Sequence, residues 1–404
     1  MLWTLAWRNV WRNKKRSGVI VAAIACGLWG GLLISGLFYG MQEQMVKSAI
    51  SDRTAHIQIH AKGFLDRKEI GLVIPNGHEV LDSVRRVPGV KYAAGRIVIS
   101  GMASSPTTGT GVMMYGIVPS EEEHISDISK KMVEGTYFQS DARNRIIAGK
   151  DLVKKLALQE GNKTVLTAQD LNGDISAGAF RIAGIFKTVS SQFDKTTVFA
   201  QRDDLARIFS LDGQLHEIAI IVDDINQIPA ITAELQKMFP NLSVESWEDL
   251  APELSLMTDT TMQFLVIFIV IVLLALAFGT TNTMLMGVIE RVRELGVIVA
   301  LGMSHGRIFL MIVLETVFLA ITGGLVGMIL SYASIEILYR TGINLSIVSK
   351  GLAAFGSSEI LRPILPWQAY PMIGAFVIVT AIIAAIYPAI KAIKLNPVEA
   401  IRTI

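Results

Sequence analysis

The sequence has few cysteines and few charged residues, and each shortage excludes a class of protein. Cys26 is the only cysteine among 404 residues, so no intrachain disulfide can stabilise the fold. Charged residues make up 18% of the chain and hydrophobic residues 51%, a balance outside the range of ordinary soluble domains. We infer a membrane protein whose stability comes from packing.

Motifs for nucleotide, metal and hydrolytic chemistry are also missing. There is no GxxxxGK(S/T) P-loop, since the run from Gly161 to Thr164 lacks the adjacent Gly-Lys pair. There is no HExxH zinc motif and no GxSxG nucleophile elbow. His56 and His60 share a face of a predicted strand, but that spacing separates them by about 13 Å, too far for one metal ion. The sequence predicts a non-catalytic chain with no cofactor or metal of its own.

Four apolar runs are each long enough to cross a hydrocarbon core of roughly 30 Å. The predicted spans are residues 18–40, 261–287, 309–338 and 370–390. Small residues recur at four-residue spacing in the first and third spans, which lets helix backbones approach closely. They are Ala23, Gly27, Gly31 and Ser35 in the first, and Gly323 and Gly327 in the third. These stripes predict tight contacts within or between subunits, although membrane helices are also generally rich in glycine.

Residues 41–260 contain no span and alternate between strand-like and helix-like patches. Period-two alternation and β-branched runs predict strands. The predicted strands are 54–60, 96–100, 112–117, 164–167, 180–186 and 218–222, and the predicted helices are 151–158, 202–209 and 229–239. The block is large enough to bury its own core, so we predict a folded α+β domain between the first two spans.

Residues 1–17 predict an amphipathic helix that lies on the membrane. Trp3, Trp7 and Trp11 recur at helical spacing, with Arg8 and Arg12 on another face. The alternative is the charged region of a signal peptide. The apolar run that follows is longer than a signal core and has no clear cleavage site, which favours retention.

The basic residues near the spans predict an orientation, because cytoplasmic segments are enriched in Lys and Arg. Such residues are concentrated in segments 1–17, 288–308 and 391–404 and are sparse in the loop 339–369. Both termini and segment 288–308 are therefore predicted to be cytoplasmic. The loop 339–369 and the domain 41–260 are predicted to be extracytoplasmic.

Segment 288–308 joins the second and third spans and has an unusual composition. A dense charge cluster at Glu290 is followed by an amphipathic stretch too short to cross a bilayer, which predicts a contact surface for another protein. Glu315 lies about two turns into the third span, where a charged group is costly unless it faces protein or pairs. It either ties that span to the segment or reaches back to water at the interface.

The run from Glu290 to Ser304, with Glu315 and the Gly323–Gly327 stretch, resembles the permease core of the FtsX/MacB/LolCDE superfamily of ABC transporters. The ending from Tyr387 to Arg402 resembles it too, as do stretches 147–152 and 180–186 in the soluble block. The chain lacks the fused ATPase of a MacB-like protein, and its soluble block is larger than that of FtsX. It most resembles a LolC/LolE-type lipoprotein-releasing permease.

The resemblance implies a type VII ABC transporter permease: four transmembrane α-helices with a large extracytoplasmic α+β domain between helices 1 and 2. It implies a bacterial inner membrane location and a cytosolic ABC ATPase dimer that binds ATP and Mg²⁺. It also implies a second permease subunit, identical or paralogous, and a lipoprotein substrate lifted from the outer leaflet among membrane lipids, with no nucleic acid. Two alternatives remain: an FtsX-like regulator that activates a cell-wall hydrolase, and a MacB-like exporter of small molecules or peptides.

The resemblance also assigns the contact with the ATPase to specific residues. They are Glu290, Arg291, Arg293, Glu294, Leu295, Gly296, Leu301, Gly302 and Ser304. A periplasmic carrier is a further expected partner of LolC-type subunits, which bind it through a proline-bearing hairpin. The corresponding turn here, 168–179, is short and has no proline, so it departs from that pattern.

Flexible and aromatic side chains at the outer ends of the first two spans suit a shelter for acyl chains. They are Met41, Met45, Met257, Met262, Phe264 and Phe268. The alternative is that these are ordinary packing or lipid-facing residues.

Overall fold

A computed structural model describes residues 2–138, 143–345 and 360–394, apart from the side chains of 255, 257–259, 261 and 262. The chain forms two compact units. The membrane unit holds residues 2–42, 258–344 and 360–394, and the α+β unit holds residues 43–138, 143–257 and 345.

The helices are α1 (Leu2–Arg12), α2 (Lys14–Ala49), α3 (Phe64–Arg67), α4 (Gly77–Val84), α5 (Pro119–Glu122), α6 (Lys150–Lys155), α7 (Ser191–Thr196), α8 (Arg202–Ile208), α9 (Ile228–Met238), α10 (Trp247–Leu250), α11 (Pro252–Glu290), α12 (Val292–Ala300), α13 (His305–Thr341) and α14 (Ala369–Ile393). The strands are β1 (Ile57–Ala61), β2 (Val90–Ser104), β3 (Gly109–Ile117), β4 (Met132–Gly135), β5 (Arg145–Gly149), β6 (Lys163–Gln169), β7 (Ile175–Phe186), β8 (Thr197–Gln201), β9 (Glu217–Val222), β10 (Leu242–Ser246), β11 (Ile343–Asn344) and β12 (Ile360–Leu361).

Four helices in the described residues are long and apolar enough to cross a membrane. They are α2, α11, α13 and α14, with mean hydropathies of 2.1, 2.9, 2.3 and 2.4 over their most apolar windows. Helix α2 runs past the predicted end of the first span, because residues 41–49 contain no helix breaker. It ends in a π-helical turn at Ile50–Thr54, so the strand predicted to begin at residue 54 starts at Ile57. The predicted fold class is confirmed.

Pro388 lies inside α14 and deprives the helix of one backbone donor. The carbonyl of Ala384, four residues earlier, would lose its helical partner. The hydroxyl of Thr281 in α11 donates a hydrogen bond to that oxygen at 3.0 Å. The side chain of a neighbouring helix therefore satisfies the group that the proline leaves free.

The glycine stripe of the first span packs against α11. A Cβ atom at Gly27 would lie 2.9 Å from the Leu276 side chain, and one at Gly31 would lie 3.6 Å from Val272. Ala23 is exposed and takes no part in this contact, while the Ser35 hydroxyl donates to the Gly31 carbonyl within α2.

The stripe of the third span packs against α2. Cβ atoms at Gly323 and Gly327 would lie 3.0 Å and 2.8 Å from the carbonyl oxygens of Val21 and Ala25. Any larger residue would push the two backbones apart. These contacts join helices of the same chain.

The α+β unit is built on a ten-stranded sheet with the order β10-β1-β9-β2-β3-β8-β5-β7-β4, and β6 pairs with β2 and β7. The six predicted strands and three predicted helices are present, with their ends shifted by up to six residues. Strands β4, β5, β8 and β10 were not predicted. Strands β5 and β8 are short and almost fully buried, so they lack the alternation that marks a half-exposed strand.

A buried charge cluster lies where β2 changes its pairing partner. As far as Arg96, β2 pairs with β9, and from Ile97 onward it pairs with β3. The Arg96 guanidinium donates to both carboxylate oxygens of Glu122 at 2.9 Å and 2.6 Å, and to Glu217 at 2.6 Å. His60 lies 3.4 Å from the other oxygen of Glu217. The cluster joins β1, β2, β9 and α5 inside the unit.

Candidate coupling site

The segment between α11 and α13 folds as one short helix and a tight reversal. Helix α12 begins after Arg291 and buries Leu295 and Gly296 against its own unit. The chain then reverses at Gly302, whose φ of +92° is readily adopted only by glycine. Ser304 is extended and starts α13 at the next residue. The reversal leaves the tip of the segment projecting from the helices.

Ion pairs hold this segment to the N-terminal helices. Glu294 pairs with Arg12 of α1 and lies 3.2 Å from Arg291, and Glu290 lies 3.5 Å from Arg16 of α2. The hydrogen bond from Arg12 holds the pKa of Glu294 below its ordinary value, assisted by Arg291. Because Glu294 is half-exposed, each pair adds little to stability. The pairs fix where the segment lies.

Glu315 is the buried centre of the same arrangement, with a side chain only 5% exposed. Its carboxylate accepts a 2.7 Å hydrogen bond from the Asn9 amide of α1 and lies 3.4 Å from the Arg291 guanidinium. One carboxylate therefore connects α1, the start of α12 and α13. A buried carboxylate is tolerable only when it is paired and hydrogen-bonded. Of the two interpretations of Glu315, the geometry is that of a polar contact with the segment.

The outer face of the segment carries the side chains that remain available to a partner. Leu301 is 82% exposed at the tip, and Val297 is also exposed. Arg293, Gly302 and Ser304 are exposed as well. An apolar side chain this exposed, ringed by polar groups, is typical of a protein contact site rather than of a core.

The nine predicted contact residues thus divide into three groups. Four are exposed and form no ion pair within the described residues: Arg293, Leu301, Gly302 and Ser304. Glu290, Arg291 and Glu294 are engaged in ion pairs within the chain. Leu295 and Gly296 are buried, so they position α12 and offer no exposed surface themselves.

Sequence reasoning missed the residues of α1 and α2 that hold the segment. Asn9, Arg12 and Arg16 lie at i, i+3 and i+7, spacing that puts them on one face of a continuous helical pattern. Their partners lie 306, 282 and 274 residues away. The shared face was readable from the sequence, but the partners across that distance were not.

The predicted acyl-chain shelter residues are divided between the two units. Met45 is buried in the α+β unit, and Met41, Phe264 and Phe268 belong to the membrane unit, where Phe264 is exposed. The side chains of Met257 and Met262 lie outside the described residues. The structure therefore does not test a common shelter.

The turn between β6 and β7 is a compact five-residue connection. Asp170 closes it by accepting hydrogen bonds from the backbone amides of Asn172 at 2.9 Å and Asp174 at 3.0 Å. Gly173 has a φ of +92°, as the reversal requires. Ile175, just beyond the turn, is 82% exposed.

Comparison with known proteins agrees with this layout. Residues 266–397 match the family described as FtsX-like permease C-terminal, a range that includes α12, α13 and α14. An uncharacterized ABC transporter permease of Methanocaldococcus jannaschii is 24% identical and covers 99% of this chain and 97% of its own length. The lipoprotein-releasing system transmembrane protein LolC of Neisseria meningitidis serogroup B is 22% identical over 97% of this chain and 96% of its own length.

The macrolide export ATP-binding/permease protein MacB of Agrobacterium fabrum is 27% identical over 98% of this chain. This chain corresponds to 60% of that longer protein. The resemblance to the FtsX/MacB/LolCDE superfamily is thereby confirmed. Residues 266–397 match an FtsX-like permease domain, and the chain is similar over nearly its whole length to ABC transporter permeases of the LolC and MacB type.

Proposed function

We propose that this chain is the permease subunit of an ABC transporter of the bacterial inner membrane that extracts lipoproteins from the outer leaflet. Energy comes from a separate cytosolic ATPase dimer, which binds ATP and Mg²⁺. The observation that carries the proposal is the exposed Leu301 at the tip of segment 288–308. Ion pairs connect this segment to α1, α2 and α13. The full-length likeness to a lipoprotein-releasing LolC supports the choice of substrate.

The orientation follows from the basic residues. Arg8, Lys14 and Lys15 are exposed near the N-terminus, and Arg293 and Arg307 are exposed around α12. The enrichment of Lys and Arg in cytoplasmic segments supports placing both termini and the segment at the ATPase. The α+β unit is then extracytoplasmic, on the substrate side.

Force from the ATPase enters at Arg293, Leu301, Gly302 and Ser304. Leu301 provides an apolar anchor of the kind that dominates protein interfaces once it enters a partner's pocket. Because α12 is tied through Arg291 to Glu315, a push on the tip moves α13 together with α1. A second permease subunit, identical or paralogous, receives the same push from the other ATPase.

The energetic demand of the proposed reaction is large. Each CH₂ of an acyl chain contributes about 0.8 kcal/mol to membrane anchoring, so unaided release of a multiply acylated protein into water is prohibitive. Helix α11 presents an apolar face with exposed Phe264, Val270 and Phe278. That face suits a partner subunit or the acyl chains of the substrate. Neither role requires a site for chemistry in this chain.

Export of a small molecule is the second candidate, because the likeness to a macrolide-exporting MacB also covers nearly the whole chain. The two functions differ in what the complex holds. A lipoprotein permease retains acylated protein, whereas an exporter retains a soluble compound.

The test is to purify the full chain with its ATPase, identify the co-purifying cargo by mass spectrometry, and reconstitute the complex in proteoliposomes. We expect acylated protein in the complex and ATP-dependent release of a triacylated reporter lipoprotein into the supernatant. If a soluble compound co-purifies and the reporter is not released, lipoprotein extraction is wrong and small-molecule export is favoured.

A further inference from the structure

The α+β unit contains an open cavity of about 540 Å³, and none of its lining residues belongs to segment 288–308. Its walls come from the end of α2 and the following π turn, from β3 and α7, and from the first turn of α11. The volume falls in the range of about 300–1,000 Å³ that is typical of small-molecule sites. The cavity is therefore large enough for a ligand of its own.

One part of the lining is apolar and adaptable. Met45 and Met113 contribute thioether side chains, which adjust to irregular shapes. Tyr115 and Phe193 contribute aromatic rings, and Tyr115 packs on Phe199 with ring centroids 5.4 Å apart. This part suits a flexible hydrocarbon or aromatic body.

The other part of the lining carries charge that its surroundings do not neutralise. Arg53 and Lys68 both line the cavity, and neither forms an ion pair within the described residues. Asp52 also lines it but is already paired with Lys131. Glu253 is the opposing carboxylate, and it lies in the first turn of α11, where the helix dipole stabilises negative charge. Among the described residues, the lining therefore holds two cations without an ion pair and one carboxylate that its helix already stabilises.

We propose that this cavity binds an anionic amphiphile, with a phosphate or carboxylate head against Arg53 and Lys68 and an apolar body against Met45, Met113 and Phe193. Tyr115 also lines the cavity, and its hydroxyl can donate to the same head. A bare anion would leave the apolar walls uncovered, and a neutral hydrocarbon would gain nothing from the two exposed cations. The proposal rests on the cavity and holds whichever cargo the transporter carries.

The test uses the full chain in phosphatidylcholine nanodiscs with a diazirine-bearing fatty acid as the probe. Photolabelling followed by peptide mapping should mark the peptides that contain Met113 and Phe193. The double variant Arg53→Gln with Lys68→Gln should weaken labelling at least about tenfold, because charge-assisted hydrogen bonds are lost. The matched control, Lys62→Gln with Arg67→Gln, removes two exposed charges that do not line the cavity and should label normally.

Competition identifies the class of head and the natural source. Unlabelled lysophosphatidylglycerol that competes better than unlabelled fatty acid would point to a membrane phospholipid, and the reverse would point to an acyl carboxylate. Three results would each overturn the proposal. The neutral alcohol analogue could label equally well, the double variant could label as strongly as the unmodified chain, or the label could be confined to other peptides. Inorganic phosphate that competes as well as the amphiphiles would reduce the site to a simple anion site and overturn it too. None of these outcomes depends on lipoprotein release.

Discussion

Two clusters of buried carboxylate and arginine, one in each unit, show how the same groups serve different ends. In the α+β unit, Arg96 fully engages Glu122 and Glu217, and all three are buried. In the membrane unit, Glu315 is buried, but its partner Arg291 also reaches the half-exposed Glu294 at the surface. We call the first cluster closed, because all its members are buried, and the second open, because its ion pairs continue to an exposed residue. A closed cluster stabilises a fold, whereas an open one can transmit a displacement.

The largest expected effect is that of Arg96→Met, which removes the only arginine from the buried cluster of the α+β unit. Both carboxylates would stay buried without the guanidinium that pairs them, and breaking such a pair typically costs about 3–5 kcal/mol. Hydrogen exchange of the β2 and β9 amides in the full chain would measure the loss. The control is Arg67→Met, which breaks an exposed pair with Glu69 and should cost about 0.5 kcal/mol or less. A loss below about 1 kcal/mol for Arg96→Met would mean that the cluster is not a stabilising element.

The next effect concerns the outer end of the open cluster. Leu301→Glu should weaken ATPase binding about 30-fold or more, since truncating or charging an interface anchor costs about 2 kcal/mol or more. The measurement is titration of the ATPase against the full chain in nanodiscs. Ile175→Glu alters a side chain with the same 82% exposure in the α+β unit and should leave binding unchanged. Equal binding by both variants would remove Leu301 from the ATPase contact.

Glu315→Gln tests whether the open cluster transmits movement. Glutamine keeps an acceptor for Asn9 but loses the charge that attracts Arg291, so the link between α12 and α13 weakens. ATP-driven release should fall about tenfold or more, with ATPase binding retained. The control is Glu336→Gln in the same helix, which breaks an exposed pair with Arg340. Unchanged transport by Glu315→Gln would mean that the cluster does not couple the two helices.

These clusters also show which features a sequence can reveal. The apolar runs, the charge-dense segment and the isolation of Glu315 are local patterns, so hydropathy and periodicity revealed them. The partners Asn9 and Arg12 belong to a helix that also reads as a membrane-surface helix, and no local rule relates them to residues nearly 300 positions away. Burial of Leu295 and Gly296 depends on the same tertiary contact. The unpredicted strands β5 and β8 follow the same logic, because full burial on both faces erases their periodicity.

Asp194 sharpens the comparison, because it is a buried carboxylate that pairs with no cation among the described residues. Burial raises its pKa to about 6, although Thr188 donates to it from its backbone amide and its hydroxyl. Glu217 shows the opposite result: burial opposes ionisation, but Arg96 and His60 more than offset it, and the pKa of Glu217 lies below its ordinary value. The presence of a counter-ion therefore decides whether the pKa of a buried carboxylate lies above or below its ordinary value.

The two carboxylates therefore predict opposite contributions to the pH dependence of stability. The pKa of Asp194 is raised in the folded state, so its contribution is full below pH about 4 and is lost as pH rises to about 6. That of Glu217 is present above its ordinary pKa and is lost as pH falls. Asp194→Asn should remove a decline of about 2 kcal/mol between pH 4 and 6, measured by denaturation of the full chain at each pH. Asp203→Asn, which changes an exposed aspartate of α8, is the control, and an unchanged decline in Asp194→Asn would show that its titration is not linked to folding.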